Sequence, residues 1–275
     1  MTHEQPFRTL VVATNLAGLH EQPSHDARLG SQLLNGCLLH VLAEQDQWCF
    51  VSSQDDGYHG WAYRPYLTAT TPSEPTHLVC EPVSLVRALP IANAPILTRV
   101  PGGTLVRVFE QSADWAQLAL AGGMIAGGMS GWVPAGDLRA LRDLPNSEIA
   151  RRQQLVADAV RFTGVPFLWG GCTAMGTDCS GFTQLLHRLV GIAIPRDADL
   201  QYAAAAPVEH TYQPGDLLFF SEPGEAREIT HVGVSLGGWK MIHSSRARNG
   251  VYEDNPEVAS YLRERFVGAR TFLLR

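Results

Sequence analysis

Between residues 8 and 140 the apolar positions come in short runs, broken every few residues by Gly, Pro, Asn or Asp. That rhythm predicts strands and turns rather than helices. One stretch recurs. GCLLHVLAEQDQW (Gly36 to Trp48) and GTLVRVFEQSADW (Gly103 to Trp115) have equal length, open on Gly and close on Trp, with Leu39 matching Val106 and Val41 matching Val108. Each copy is followed by a Gly-Trp pair, Gly60-Trp61 and Gly131-Trp132, and then by Leu67 or Leu138. The copies are offset by 67 to 71 residues. The repeat therefore predicts two successive units, residues 1–70 and 71–142. A unit of about 65 residues with about five short strands and glycine-marked turns suits a small closed β-barrel.

The pattern changes after residue 142. Pro145 and Asn146 mark a linker and a helix start. Ile149, Leu155, Val156, Ala159, Val160 and Phe162 approximate one helical face, and Gly164 and Pro166 stop it, which predicts a helix over 147–163. A second helix follows Cys179, with apolar residues at Phe182, Leu185, Leu186, Leu189 and Val190. Asp178 is placed to cap its start and Gly191 to end it. Gly215 to Ser221 (GDLLFFS) reads as a buried strand. His231 and His243 lie on two further strands, joined through Gly237-Gly238, a hairpin signal. Residues 143–275 thus read as a third domain, with helices on an antiparallel sheet, and the whole chain as α+β.

Composition narrows the chemistry. Apolar residues make up 45% and charged residues 17%, as in an ordinary globular protein, and the net charge is −6. A mildly acidic chain has no electrostatic reason to bind nucleic acid or an anionic membrane. No stretch reaches the ~20 apolar residues of a membrane span. The N-terminus lacks a basic start followed by a long apolar core, so a secretory signal is not expected. The five cysteines, Cys37, Cys49, Cys80, Cys172 and Cys179, are odd in number and include no C-x-x-C pair. That speaks against a zinc site or a disulfide framework and favours a reducing cytoplasm. There is no H-E-x-x-H and no glycine-rich phosphate loop with a lysine, so neither a metal nor a cofactor is expected.

Cys179 stands at a helix N-terminus, where unpaired amides and the helix dipole favour an anion. A thiolate there is expected to be stabilised and its pKa to fall. Gly176 and Gly181 leave room for backbone or substrate to come close. A nucleophilic thiol needs a base. Folding the hairpin about residue 237 sets His231 opposite His243, or one residue off, at ~4.5–5.5 Å between Cβ atoms. One histidine can then contact the thiol while the other orients it through its second ring nitrogen.

Asp178-Cys179-Ser180-Gly181-Phe182, preceded by Leu168-Trp169-Gly170-Gly171, resembles the NlpC-type, papain-like cell-wall cysteine peptidases. So do Ile194-Pro195-Arg196-Asp197, Gly215-Asp216-Leu217, His231-Val232-Gly233-Val234 and Ile242-His243, in the same order. The two repeat units resemble bacterial Src-homology-3-like domains. The resemblance implies Cys179 as nucleophile, His231 as base and His243 as its orienting partner, and a thioester intermediate. Barrels in this arrangement resemble those of endopeptidases that cut between D-glutamate and a diamino acid in murein peptides with a free N-terminal L-alanine. By the same resemblance Trp169, Asp178, Ser180, Gly181 and Asp197 line the substrate site, Asp197 facing the free amine, with Tyr58 a contribution from the first barrel. Two departures stand out: Phe167 where that subgroup often has Tyr, and Arg28 where its first barrel often carries an acid. Amidase or acyltransferase chemistry on the same fold, or peptide binding without catalysis, are the competing readings.

Overall fold

The computed structural model describes residues 8–70, 72–122, 129–209, 211–222 and 228–274. They form two compact units, divided in sequence between Arg142 and Asp143.

The N-terminal unit contains two antiparallel sheets of identical topology. The first comprises Arg8–Val12, Leu16–His20, Leu29–Leu34, Leu38–Gln45, Trp48–Ser53, His59–Tyr63 and Leu67–Thr68. In space these strands run third, second, sixth, fifth, fourth, first, seventh. The strands from His77–Val79 to Leu138–Ala140 repeat that order. Each unit has seven strands, not the expected five, because some pieces are as short as Leu67–Thr68.

The sequence repeat is a repeat of backbone. Gly36 and Gly103 both take a left-handed φ, of 82° and 89°. Asp46 and Ala113 turn their hairpins at the same φ of 51°. A bulge follows Val41 in one copy and Val108 in the other. Gly60 and Gly131 share a packing reason: a Cβ would stand 3.1 Å from the Leu19 Cβ in the first barrel and 2.5 Å from Val86 Cγ1 in the second. Each barrel has its own apolar core, one around Leu10, Leu39 and Val51, the other around Val86, Val106 and Leu118. The buried Asn35 joins the two, its amide donating to the Ala121 carbonyl and accepting from the Ala121 N–H, both at 2.8 Å.

The C-terminal unit opens with α1 (Glu148–Val160), capped by the Ser147 hydroxyl, which accepts from the Ala150 amide. Arg152 on α1 is buried and donates to the Asp216 carboxylate at 2.8 Å and to the Pro214 carbonyl at 2.9 Å. The Gly215-Asp216-Leu217 motif is thus the joint between helix and sheet. Helix α2 (Cys179–Leu189) buries Phe182, Leu185, Leu186 and Leu189, as its spacing predicts. Each such side chain stabilises the fold by roughly 1.5–3 kcal/mol. The helix gives way to Gly191 at a φ of 80°. A short helix, α3 (Ala198–Ala204), follows.

The sheet consists of β1 (Ala206–Val208), β2 (Leu217–Ser221), β3 (Ile229–Gly237), β4 (Lys240–Ser245), β5 (Gly250–Asp254) and β6 (Phe266–Thr271), in the order β1-β6-β2-β3-β4-β5. All neighbours are antiparallel. Helix α2 packs on β3 and β4. The fold is therefore α+β: a papain-like domain behind two small β-barrels. No helix among the described residues is long and apolar enough to cross a membrane.

Candidate active site

Cys179 is the first residue of α2 and is only partly exposed. Its position is fixed from below by Asp178. One carboxylate oxygen of Asp178 accepts from the Gly181 amide at 2.7 Å, and the other accepts from the Gly170 amide at 2.8 Å. Buried Arg196 closes a two-pronged ion pair on the same carboxylate, at 3.0 and 2.7 Å, and donates to the Ser180 hydroxyl at 3.0 Å. Gly181 has a packing reason as well, since a Cβ there would lie 2.1 Å from the Gly171 carbonyl oxygen.

Asp178, Ser180 and Gly181, expected to line the substrate site, are all buried, and the Asp178 carboxylate accepts from internal donors. They hold the turn that carries Cys179. The thiol does not follow the helix dipole. Burial, and then the neighbouring Asp178 charge, push it up to about 12, against the pull of the Val232 and Ser180 backbone amides and of Arg196. Burial, with the carboxylate beside the sulfur second, outweighs the partial charges at the helix end.

The strand carrying His231 passes the sulfur at Val232, whose amide points at it. His231 Nε2 lies 2.6 Å from His243 Nδ1, and His243 Nε2 lies 2.9 Å from an Asp254 carboxylate oxygen. His243 is buried. His231 is pushed down to about 3, first by burial and then by its neighbours His243 and Arg265. At neutral pH the site therefore holds a neutral Cys179 thiol and a neutral His231 imidazole.

The two histidines meet, but not as direct cross-strand partners. The turn falls on Gly238-Trp239, with Gly237 opposite Lys240, and a bulge sets Val234 opposite Ile242. In this register Gly233, not His231, is level with His243. A displacement of two residues keeps both rings on one face, since side chains alternate with period two. Gly233 supplies the space for the diagonal contact: a Cβ there would stand 3.1 Å from the His243 Cβ and 2.9 Å from the Met241 sulfur.

The loop before Cys179 and the histidine strands are tied together. The Ser244 hydroxyl donates to the Thr177 carbonyl at 2.6 Å. Val251 donates its amide to the Val165 carbonyl at 2.9 Å, so β5 is anchored to the chain entering the loop. Trp169 is half-exposed on that loop. Asp197 stands at the N-cap of α3, beside Arg196, and makes no side-chain capping bond. Tyr58 belongs to the first barrel, where it packs partly buried against the core. Arg28, in the same barrel, is paired with Glu21 at 3.5 Å. Among the described residues no three His, Cys, Asp or Glu side chains converge as a metal site.

Sequence reasoning did not find Arg196, Asp254 or Gly233 as site residues. Arg196 was visible only inside a family motif. Asp254 lies 75 residues after Cys179 in no motif at all, and only the pairing of β4 with β5 brings it to His243.

Comparison with known proteins agrees with this architecture. Residues 164–271 match the NlpC/P60 family, and residues 19–62 match the bacterial dipeptidyl-peptidase Sh3 domain. The chain is 28% identical over 262 residues to a gamma-D-glutamyl-L-lysine dipeptidyl-peptidase of Bacillus cereus, covering 90% of this chain and 76% of that protein. It is also 28% identical over 249 residues to a protein of the same name from Bacillus subtilis, covering 84% and 80%. A crystal structure of an NlpC/P60 family protein from Bacillus cereus superimposes with a TM-score of 0.83, covering 96% of this chain and 99% of that one at 24% identity, which establishes a shared fold. Residues 164–271 of this chain are therefore an NlpC/P60 domain, carried behind a bacterial Sh3-type domain.

Proposed function

We propose that this protein is a cysteine peptidase that hydrolyses the γ-D-glutamyl–diamino acid bond of murein peptides bearing a free N-terminal L-alanine. The observation that carries the chemistry is the 2.6 Å contact between His231 and His243 on strands that run past the Cys179 sulfur at Val232. Names of relatives aligned over most of both chains, gamma-D-glutamyl-L-lysine dipeptidyl-peptidases, support the substrate class.

In this reading His231 takes the thiol proton as the sulfur attacks the amide carbonyl carbon. The Cys179 amide, unpaired at the helix start, is placed to receive the oxyanion. The proton passes to the leaving amine nitrogen as the C–N bond breaks, leaving a thioester. Water then gives a proton to His231 and attacks the thioester carbon, which frees the acid and restores the thiol. Trp169 and Asp197 line the cleft, Asp197 pairing with the substrate's ammonium group.

The test is mass analysis of products from L-Ala-γ-D-Glu-L-Lys and its diaminopimelate counterpart, beside N-acetylated copies and a Cys179→Ala control. Release of the free diamino acid from the unblocked peptides alone is expected. Equal cleavage of the acetylated copies would remove the amine requirement, and no cleavage of any would refute the substrate assignment. On the same assay Gly233→Ala is expected to lower kcat at least about tenfold and to cost about 1–3 kcal/mol of stability, as overpacking does. Thermal melting beside kinetics checks both; unchanged kcat would show that the diagonal histidine contact tolerates a methyl group.

A further inference from the structure

The carboxylate of Asp254 is the acceptor at the end of the chain that begins at His231. Its outer oxygen accepts from Arg248 Nη1 at 3.2 Å, and the same Arg248 nitrogen donates to the Glu253 carbonyl at 2.9 Å. The guanidinium lies over the Tyr252 ring, 4.7 Å from its centroid. Arg248 is thus held where it keeps Asp254 ionised. In keeping with this, the His243 hydrogen bond and Arg248 hold Asp254 below the usual carboxylate range, against the effect of burial.

An ionised carboxylate can only accept a hydrogen bond. His243 must then carry its proton on Nε2 to donate to Asp254. In a neutral ring that leaves His243 Nδ1 as an acceptor, so His231 Nε2 must be the donor across the 2.6 Å contact. A neutral His231 with its proton on Nε2 has its lone pair on Nδ1. We propose that Asp254 is a positioning residue of the catalytic relay, acting through His243 to fix the tautomers of both histidines so that His231 presents an unprotonated Nδ1 to Cys179. The inference rests on the peptidase reading for its effect on rate, but not for the tautomers themselves. The charged neighbours that face the relay are Arg248, Arg265 and, at the thiol, Asp178 and Arg196.

Asp254→Asn tests it, because the new amide can donate to His243 Nε2 and so invert both rings. Imidazole nitrogen NMR of the full-length protein, assigned with His231→Gln and His243→Gln variants, reads the tautomers directly. Wild-type protein is expected to show protonated Nε2 on both rings, and Asp254→Asn protonated Nδ1. In parallel kcat on the γ-D-glutamyl peptide is expected to fall at least ~100-fold with KM within about twofold and an unchanged melting temperature, as when a triad carboxylate becomes an amide. Asp254→Glu is expected to restore the wild-type tautomers and part of kcat. Wild-type rings protonated on Nδ1, or an Asn variant with inverted rings and undiminished kcat, would overturn the proposal. Correct tautomers in a protein that cleaves no murein peptide would uphold the relay and refute the peptidase reading instead.

Discussion

With His231 replaced by alanine, kcat/KM at pH 7 is expected to fall about 10⁴-fold, and what remains should rise about tenfold per pH unit through the alkaline range. The reason is the state of the resting site. Burial, then the Asp178 charge, push the Cys179 thiol up to about 12. Without a base, about one molecule in 10⁵ carries a thiolate at pH 7. A raised thiol pKa means the anion gains with every step upward in pH, which sets the sign of the slope. His231 behaves oppositely: its pKa is pushed down to about 3, so the ring is protonated only in strong acid and is a free base above about pH 4. Wild-type kcat/KM should therefore lack a His231 limb between about pH 5 and 8. Profiles of both proteins from pH 5 to 10 make the comparison. A His231→Ala variant with a flat profile would show that the thiolate forms without this histidine, as at a dipole-stabilised cysteine.

The sequence carried Cys179 and its helix because both are local. Spacing from Phe182 to Val190 sets the buried face of α2, and Asp178 one residue before it sets the cap. It carried the barrels because a repeat exposes its own punctuation: Gly36 with Gly103, Gly60 with Gly131. What escaped was non-local. The histidine register depends on a turn at Gly238-Trp239 and on a bulge near Leu236, which together set His243 level with Gly233 and not with His231. The period of two kept the rings on one face all the same, so the meeting of the two imidazoles was legible although the pairing was not. The direction of the Cys179 shift was misread for a related reason. The helix dipole is written in the sequence, whereas the degree of burial, and how a carboxylate one residue away is screened, are settled only by Arg196 and the packed loops. Asp254 needed two strand pairings in succession before it could be seen.

Arg196→Met is expected to destabilise the peptidase unit by about 3–5 kcal/mol, since it strips the partner from a buried carboxylate. Arg196 and Asp178 are 2% and 7% exposed, and their two-pronged contact ties the motif at residues 194–197 to the turn before Cys179. Asp178 itself organises the Gly170 and Gly181 amides, so its charge cannot be left unbalanced without disturbing both sides of Cys179. Asp178→Asn removes the charge but retains one acceptor, and should cost less than Arg196→Met. The double variant should be more stable than the sum of the two costs implies, because neither partner is then a lone buried ion. Hydrogen exchange of amides in residues 148–271 along a urea series measures this unit in the full chain. Additive losses, or a loss under about 1 kcal/mol for Arg196→Met, would mean that the ion pair is not what holds the turn. The same variant changes reactivity in a fixed direction. Arg196 is one of the groups lowering the Cys179 pKa, so its loss drives the thiol further up, and alkylation at pH 8 should slow in the protein that remains folded. Asp178→Asn removes a charge that raises the thiol, so alkylation should accelerate there. Opposite kinetic signs from two substitutions that both loosen the same ion pair would separate the electrostatic role of this pair from its structural one.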